Sequence, residues 1–214
     1  MVKGYRIAGK NCRTEFTEKK SRFITTLKRV KTAEEAAEFV HSVRREYPDA
    51  THHCVAFRLH DPFTERFNDD GEPGGTAGMP MLDVLKKNDL YDTALVVTRY
   101  FGGILLGAGG LVRAYSRGAA ETVAAAGVQT MLPAARIRLL CAYPHLEPLQ
   151  RLCGRFGGED LQTEYGETVM MTLILRDEAV SPFFAEVANS TAGTAVCTLT
   201  ERLLYGFDAF TGHQ

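Results

Sequence analysis

Apolar and polar positions alternate in short runs between Tyr5 and Val30, which predicts strands there, with Arg22-Phe23-Ile24-Thr25-Thr26-Leu27 the clearest. The period then lengthens. Ala36, Phe39, Val40 and Val43 recur at helical spacing behind Thr32-Ala33-Glu34-Glu35, a capping box in which threonine accepts an amide bond and the glutamate reaches back. That helix should end before Pro48. His52 to Leu59 alternates again, with Cys54, Ala56 and Arg58 on one face and Val55, Phe57 and Leu59 on an apolar core face. A polar stretch from Asp61-Pro62 to Gly78 reads as one long loop, of a length that tends to be functional or mobile. Met81, Leu82, Val84 and Leu85 predict a short helix ending near Asn88. Thr93 to Tyr100 is nearly all apolar and predicts a central strand buried on both faces. Leu111 to Ala126 predicts an alanine-rich helix closed by Gly127.

Beyond Pro133 the rhythm changes. Strand patterns over Ala134–Tyr143, Glu159–Tyr165, Thr168–Leu175 and Thr194–Tyr205 alternate with helix patterns over Leu146–Phe156 and Ser181–Ser190. The order β-α-β-β-α-β is that of a ferredoxin-like sandwich. The expected class is therefore α+β in two domains, residues 1–130 and 131–214. Charge supports a break at that place. Before Val128 stand 19 Lys and Arg against 16 Asp and Glu, and from it onward 6 against 10. Every lysine lies in the first part. An excess of three positive charges is too mild to mark a nucleic-acid-binding domain by itself.

The 214 residues are 45% hydrophobic and 24% charged, an ordinary balance for a globular chain with a sizeable core. No apolar run is long enough to span a bilayer, and Met1 to Arg13 is too polar for a signal peptide, so a cytoplasmic protein without membrane contact is expected. Cys12, Cys54, Cys141, Cys153 and Cys197 are widely spaced and never form CxxC, which suggests reduced thiols and no zinc site. There are no internal repeats.

The candidate chemistry gathers between Asn68 and Arg117. Two glycine-rich loops, Gly71-Glu72-Pro73-Gly74-Gly75-Thr76 and Gly102-Gly103 to Gly109-Gly110, each run into a helix pattern. Unpaired amides and a positive dipole at a helix start make each loop a plausible anion cradle. Lys86, Arg99, Arg113 and Arg117 could add charge, and Tyr100 or Phe101 could offer a ring to a base. The opposite reading is that the glycines permit tight turns and close helix packing. Neither loop is a Walker A or dinucleotide fingerprint, and no cofactor signature is present. Asp69, Asp70 and Glu72 could hold a hard cation or act as acid and base, against a capped, solvated turn. His52 and His53 adjoin Cys54, but neighbours on a strand face opposite ways and an inert core thiol is the plainer reading. No catalytic set assembles, which leans against an enzyme.

Three segments together resemble one family. Lys19-Lys20-Ser21-Arg22-Phe23-Ile24, Asp69-Asp70-Gly71-Glu72-Pro73-Gly74-Gly75-Thr76-Ala77-Gly78-Met79-Pro80 and Val97-Thr98-Arg99-Tyr100-Phe101-Gly102-Gly103-Ile104-Leu105-Leu106-Gly107 are similar to the IMPACT family, in its bacterial YigZ branch. The resemblance implies an N-terminal domain like the second domain of a small-subunit ribosomal protein and a C-terminal domain like the last domain of elongation factor G. It implies RNA or a ribosome-associated factor as partner. Three functions are carried forward: an RNA- or translation-machinery-binding protein, an enzyme on a small phosphorylated or nucleotide ligand, and a protein-interaction module whose acidic second domain recruits a basic partner.

Overall fold

The computed structural model describes residues 4–207. They divide into two compact units, residues 5–129 and residues 130–207 together with Gly4; the outer ends of the expected 1–130 and 131–214 domains lie outside the described residues. Among these residues no helix is long and apolar enough to cross a membrane.

The first unit runs β1 (Tyr5–Ala8), β2 (Cys12–Glu18), β3 (Ser21–Arg29), α1 (Ala33–Glu46), β4 (His52–Leu59), β5 (Thr64–Asn68), α2 (Gly78–Lys87), β6 (Leu90–Tyr91), β7 (Thr93–Tyr100) and α3 (Ala108–Ala126). An antiparallel sheet of order β2-β3-β7-β4-β5 forms its middle layer. The apolar run of β7 sits at the sheet centre and is covered on both faces, as its composition predicts. Leu95 and Val97 pack with Met81, Leu85, Tyr115 and Ala119 under α2 and α3, while Ala94 and Val96 join Ala36, Phe39 and Val43 under α1. Each fully buried Leu, Val, Phe or Met side chain among these contributes about 1.5–3 kcal/mol. The β4 expectation of one core face is too narrow, because Cys54 and Ala56 lie in the first core while Val55, Phe57 and Leu59 lie in the second.

Local signals place α1 closely. Thr32 Oγ1 accepts from the Glu35 amide at 3.1 Å, and Glu35 reaches back to the Lys31 amide at 2.8 Å. The 61–78 stretch is not one loop, because Thr64–Asn68 pairs with β4 as an edge strand. Its side chains are mostly exposed, so it carries no apolar alternation to read. Charge holds it instead: Glu65 bonds Arg58 at 2.9 Å and Lys86 at 2.8 Å.

The second unit follows as β8 (Val128–Cys141), α4 (Leu146–Arg155), β9 (Glu159–Tyr165), β10 (Val169–Arg176), α5 (Val180–Ser190) and β11 (Val196–Gly206). Its strands lie in the order β11-β8-β10-β9, the ferredoxin-like arrangement. One core joins Ile137, Leu139 and Leu173 to Leu149, Leu152, Phe183 and Val187 of the helices, and a smaller cluster holds Ala134, Ile174 and Phe207. Strand β8 begins earlier than the apolar pattern suggests and passes through Pro133, which sits opposite Leu204 of β11. The class is α+β.

One glycine fixes how the loop after β7 lies. A Cβ on Gly102 would fall inside the van der Waals envelope of the Lys20 carbonyl and the Ser21 amide, so the loop rests directly on the β2–β3 turn. Nothing lies within 4 Å of the same position on Gly74, and its φ is not in the left-handed region. Gly102→Ala should therefore lose about 1–3 kcal/mol or more in urea unfolding. Gly74→Ala should be neutral or gain up to about 1 kcal/mol through the unfolded chain. Equal effects at the two positions would contradict this contrast.

Candidate functional site

The first glycine loop is organised by its own carboxylates. Asp69 Oδ1 accepts from the Ala77 and Gly78 amides at 3.1 and 2.8 Å, and Oδ2 from the Gly75 amide at 2.8 Å. The start of α2 thus already holds an anion, and it belongs to the chain. Asp70 adopts φ 45° and accepts from the His53 amide at 2.6 Å and from Arg44 at 2.5 Å. Burial raises the Asp70 carboxyl, but these two donors outweigh it and hold the group below the usual carboxylate range.

Glu72 turns inward. Its Oε1 accepts from Arg99 Nη1 at 2.6 Å and from the Tyr115 hydroxyl at 2.7 Å, with the Glu72 and Arg99 side chains only 3% and 5% exposed. Arg99 Nη2 donates to Ser21 Oγ at 3.3 Å, and the same oxygen accepts from the Gly102 amide at 3.2 Å. One buried network therefore joins the first loop, the end of β7, α3, the second loop and the β2–β3 turn. Burial raises the Tyr115 phenol strongly, so it stays a donor. Burial also pushes the Cys54 thiol up to about 12, and its Sγ donates to the Asp69 carbonyl at 3.0 Å. It is a protonated core thiol, not a nucleophile.

Several candidate residues take other roles. Arg99, expected to contact an anion, is 4% exposed and engaged with Glu72 and Ser21. The alternation of β7 explains this, because residue 99 continues the face of Leu95 and Val97 that α2 and α3 cover. Tyr100 accordingly faces the other side of the sheet, where its hydroxyl donates to Asp49 at 3.1 Å. Lys86 pairs with Glu65 in the last turn of α2. Thr76 is buried and donates to the Pro73 carbonyl at 2.6 Å. Gly74 and Gly75 are exposed, but the Gly75 amide belongs to Asp69. The acidic trio is not a solvated turn: its oxygens carry backbone amides, two arginines and a phenol.

The second loop differs in kind. Helix α3 starts from Gly107, at φ 72°, and has no side-chain cap, so no side chain fills its first amides. Gly109, Gly110, Arg113 and Arg117 all lie in its first turns. A Cβ on Gly109 would lie 3.5 Å from Arg113 Nη1, which puts that guanidinium over the positive end of the helix. A cavity of about 220 Å³ beside it is lined by Lys19, Arg113, Arg117, Glu18, Phe16 and Leu106. Arg117 bonds Glu121 at 2.7 Å and stacks 4.4 Å from the Phe16 ring centre. Lys19, Lys20 and Arg113 have no ion-pair partner among the described residues. Gly103 is exposed in the same loop. Like charges and a helix dipole of the same sign converge here, an arrangement that a bound anion would relieve.

Lys19 and Lys20 are the residues that local reading passes over. They form the β2–β3 turn, both at positive φ, and the β3–β7 pairing of Arg22 with Tyr100 brings that turn beside Gly102. The signal the sequence offers for them is their place in the family segment Lys19 to Ile24.

Removing one partner of the buried pair leaves an uncompensated charge. Arg99→Ala should therefore lose about 3–5 kcal/mol of stability, whereas exposed Arg113→Ala should stay within about 0.5 kcal/mol. Chemical denaturation of the two variants checks this, and equal stabilities would contradict it.

Known proteins resemble this chain over most of its length. Residues 19–123 match the model described as the Impact N-terminal domain, and residues 139–194 match DUF1949, a domain of unknown function. The chain is 41% identical over 179 residues to the IMPACT family member YigZ of Escherichia coli, covering 82% of this chain and 88% of that one. It is 37% identical over 186 residues to an IMPACT family member of Haemophilus influenzae, covering 86% and 90%. A crystal structure titled as that of a hypothetical protein superposes with a TM-score of 0.60 at 37% identity, covering 94% of this chain and 99% of that one. With the two glycine loops, the network beneath them and both domain matches in place, the chain belongs to the IMPACT family, in its bacterial YigZ branch.

Proposed function

We propose that this chain is a non-enzymatic cytoplasmic binding protein that contacts RNA or a ribosome-associated factor and thereby regulates translation. Its contact face is the β2–β3 turn, the second glycine loop and the first turns of α3. The observation that carries this reading is Lys19 and Arg113 lining one cavity beside an uncapped helix start, with Lys20 next in the same turn and none of the three in an ion pair among the described residues. An anionic partner is the chemistry that such a face selects. The family resemblance to ribosome-contacting folds supports translation as the setting. The competing enzyme reading needed Asp69, Asp70 or Glu72 as free acids, bases or ligands, and their oxygens are engaged in the fold. The ligand set accordingly narrows to Gly103, Gly109, Gly110, Arg113 and Arg117, joined by Lys19 and Lys20.

Co-sedimentation with ribosomes across a salt series tests the proposal. Wild-type affinity should fall as salt rises. Lys19→Ala, Lys20→Ala and Arg113→Ala combined should weaken binding at least about tenfold, with a shallower salt dependence and an unchanged melting curve. Salt-independent binding, or full binding by the triple variant, would sink it.

A further inference from the structure

The same face has a centre that its charge does not explain. Phe101, Ile104 and Leu105 all face solvent, and Leu105 is 81% exposed. Isolated exposed apolar residues are common, but three within five consecutive positions of one loop are a concentration. The loop is also held in place. The Phe101 amide donates to Thr51 Oγ1 at 3.0 Å, the Gly102 amide to Ser21 Oγ at 3.2 Å, and Gly103 and Gly107 take φ of 80° and 72°. Specific bonds at the base of the loop therefore project its apolar tip outward instead of letting it fold back on the core.

Resting on the reading that this face contacts the translation machinery, we infer that what it binds there is a protein segment, apolar at its centre and acidic at its flanks. Its apolar residues cover Ile104 and Leu105, and its carboxylates meet Lys19, Lys20 and Arg113. Charge complementarity selects the flanks. The three cations have no ion-pair partners among the described residues, Arg22 and Arg117 already hold Glu15 and Glu121, and Glu18 is the one carboxylate lining the adjacent cavity. The centre selects protein over RNA. Bases bind by stacking on aromatic faces, but the loop's tip is aliphatic, and its ring, Phe101, lies 5.5 Å from the Arg99 guanidinium at the base. Tyr100 faces the opposite side of the sheet. An apolar middle within a charged rim is the anatomy of a protein–protein contact.

The test compares ribosomes prepared without a high-salt wash with the protein-free ribosomal RNA extracted from them. Wild-type protein should bind the ribosomes at least about tenfold more tightly than the naked RNA. Ile104→Ser with Leu105→Asp, both at exposed positions, should lose at least about tenfold of the ribosome affinity while melting like wild type; this is the scale of about 1.4 kcal/mol. A photo-crosslinking benzoylphenylalanine at position 105 should give an adduct destroyed by protease and attached to a segment rich in Asp and Glu. Naked RNA bound as tightly as ribosomes, a nuclease-sensitive adduct, or full ribosome binding by the loop variant overturns the inference and leaves the proposed function standing. Binding to neither ribosomes nor RNA overturns both.

Discussion

The buried pair of Arg99 and Glu72 is the interaction on which the first unit's upper end depends. Two charges removed from water repay their desolvation only with close geometry and further hydrogen bonds. Tyr115 and Ser21 supply those bonds, at 2.7 and 3.3 Å. Four chain segments distant in sequence therefore have to meet at one point: the loop before α2, the end of β7, the middle of α3 and the start of β3. The network beneath the glycine loops ties both of them to the sheet and to α3.

That constraint divides two loops that look alike in sequence. Each precedes a helix whose first amides need acceptors. At α2 the chain answers with Asp69, held in place by the turn that carries Glu72 inward. At α3 no side chain answers, and cations from the β2–β3 turn and from the helix itself crowd the same end. The first loop is thus part of the scaffold, while the second leaves its helix start without a side-chain acceptor beside a cavity lined by Lys19, Arg113 and Arg117. Gly102 links the two roles, since its missing side chain lets the outward loop lie against the Lys20 and Ser21 backbone.

The second unit is more conventional in its physics. Its helices cover one face of a four-stranded sheet with an aliphatic core, and Cys141 and Cys153 lie within that core as protonated thiols raised by burial.

The sequence by itself determined the elements wherever burial imprints a period. The two-sided core strand Thr93–Tyr100, the capping box at Thr32 and the β-α-β-β-α-β order after Pro133 all follow from side chains whose local spacing meets the core. It also revealed the family, because glycine clusters and three family segments are features of the chain alone. The edge strand Thr64–Asn68 left no such imprint, since an exposed strand held by ion pairs has no hydrophobic period. Tertiary structure alone decided what the polar residues do. Arg99, Glu72 and Asp69 look like ligands in sequence, and Lys19 and Lys20 look like an ordinary turn. Which charges are neutralised inside and which stay open depends on partners far along the chain, such as Ser21 for Arg99, 78 residues away. Local composition does not encode that distance, because electrostatic pairing follows separation in space.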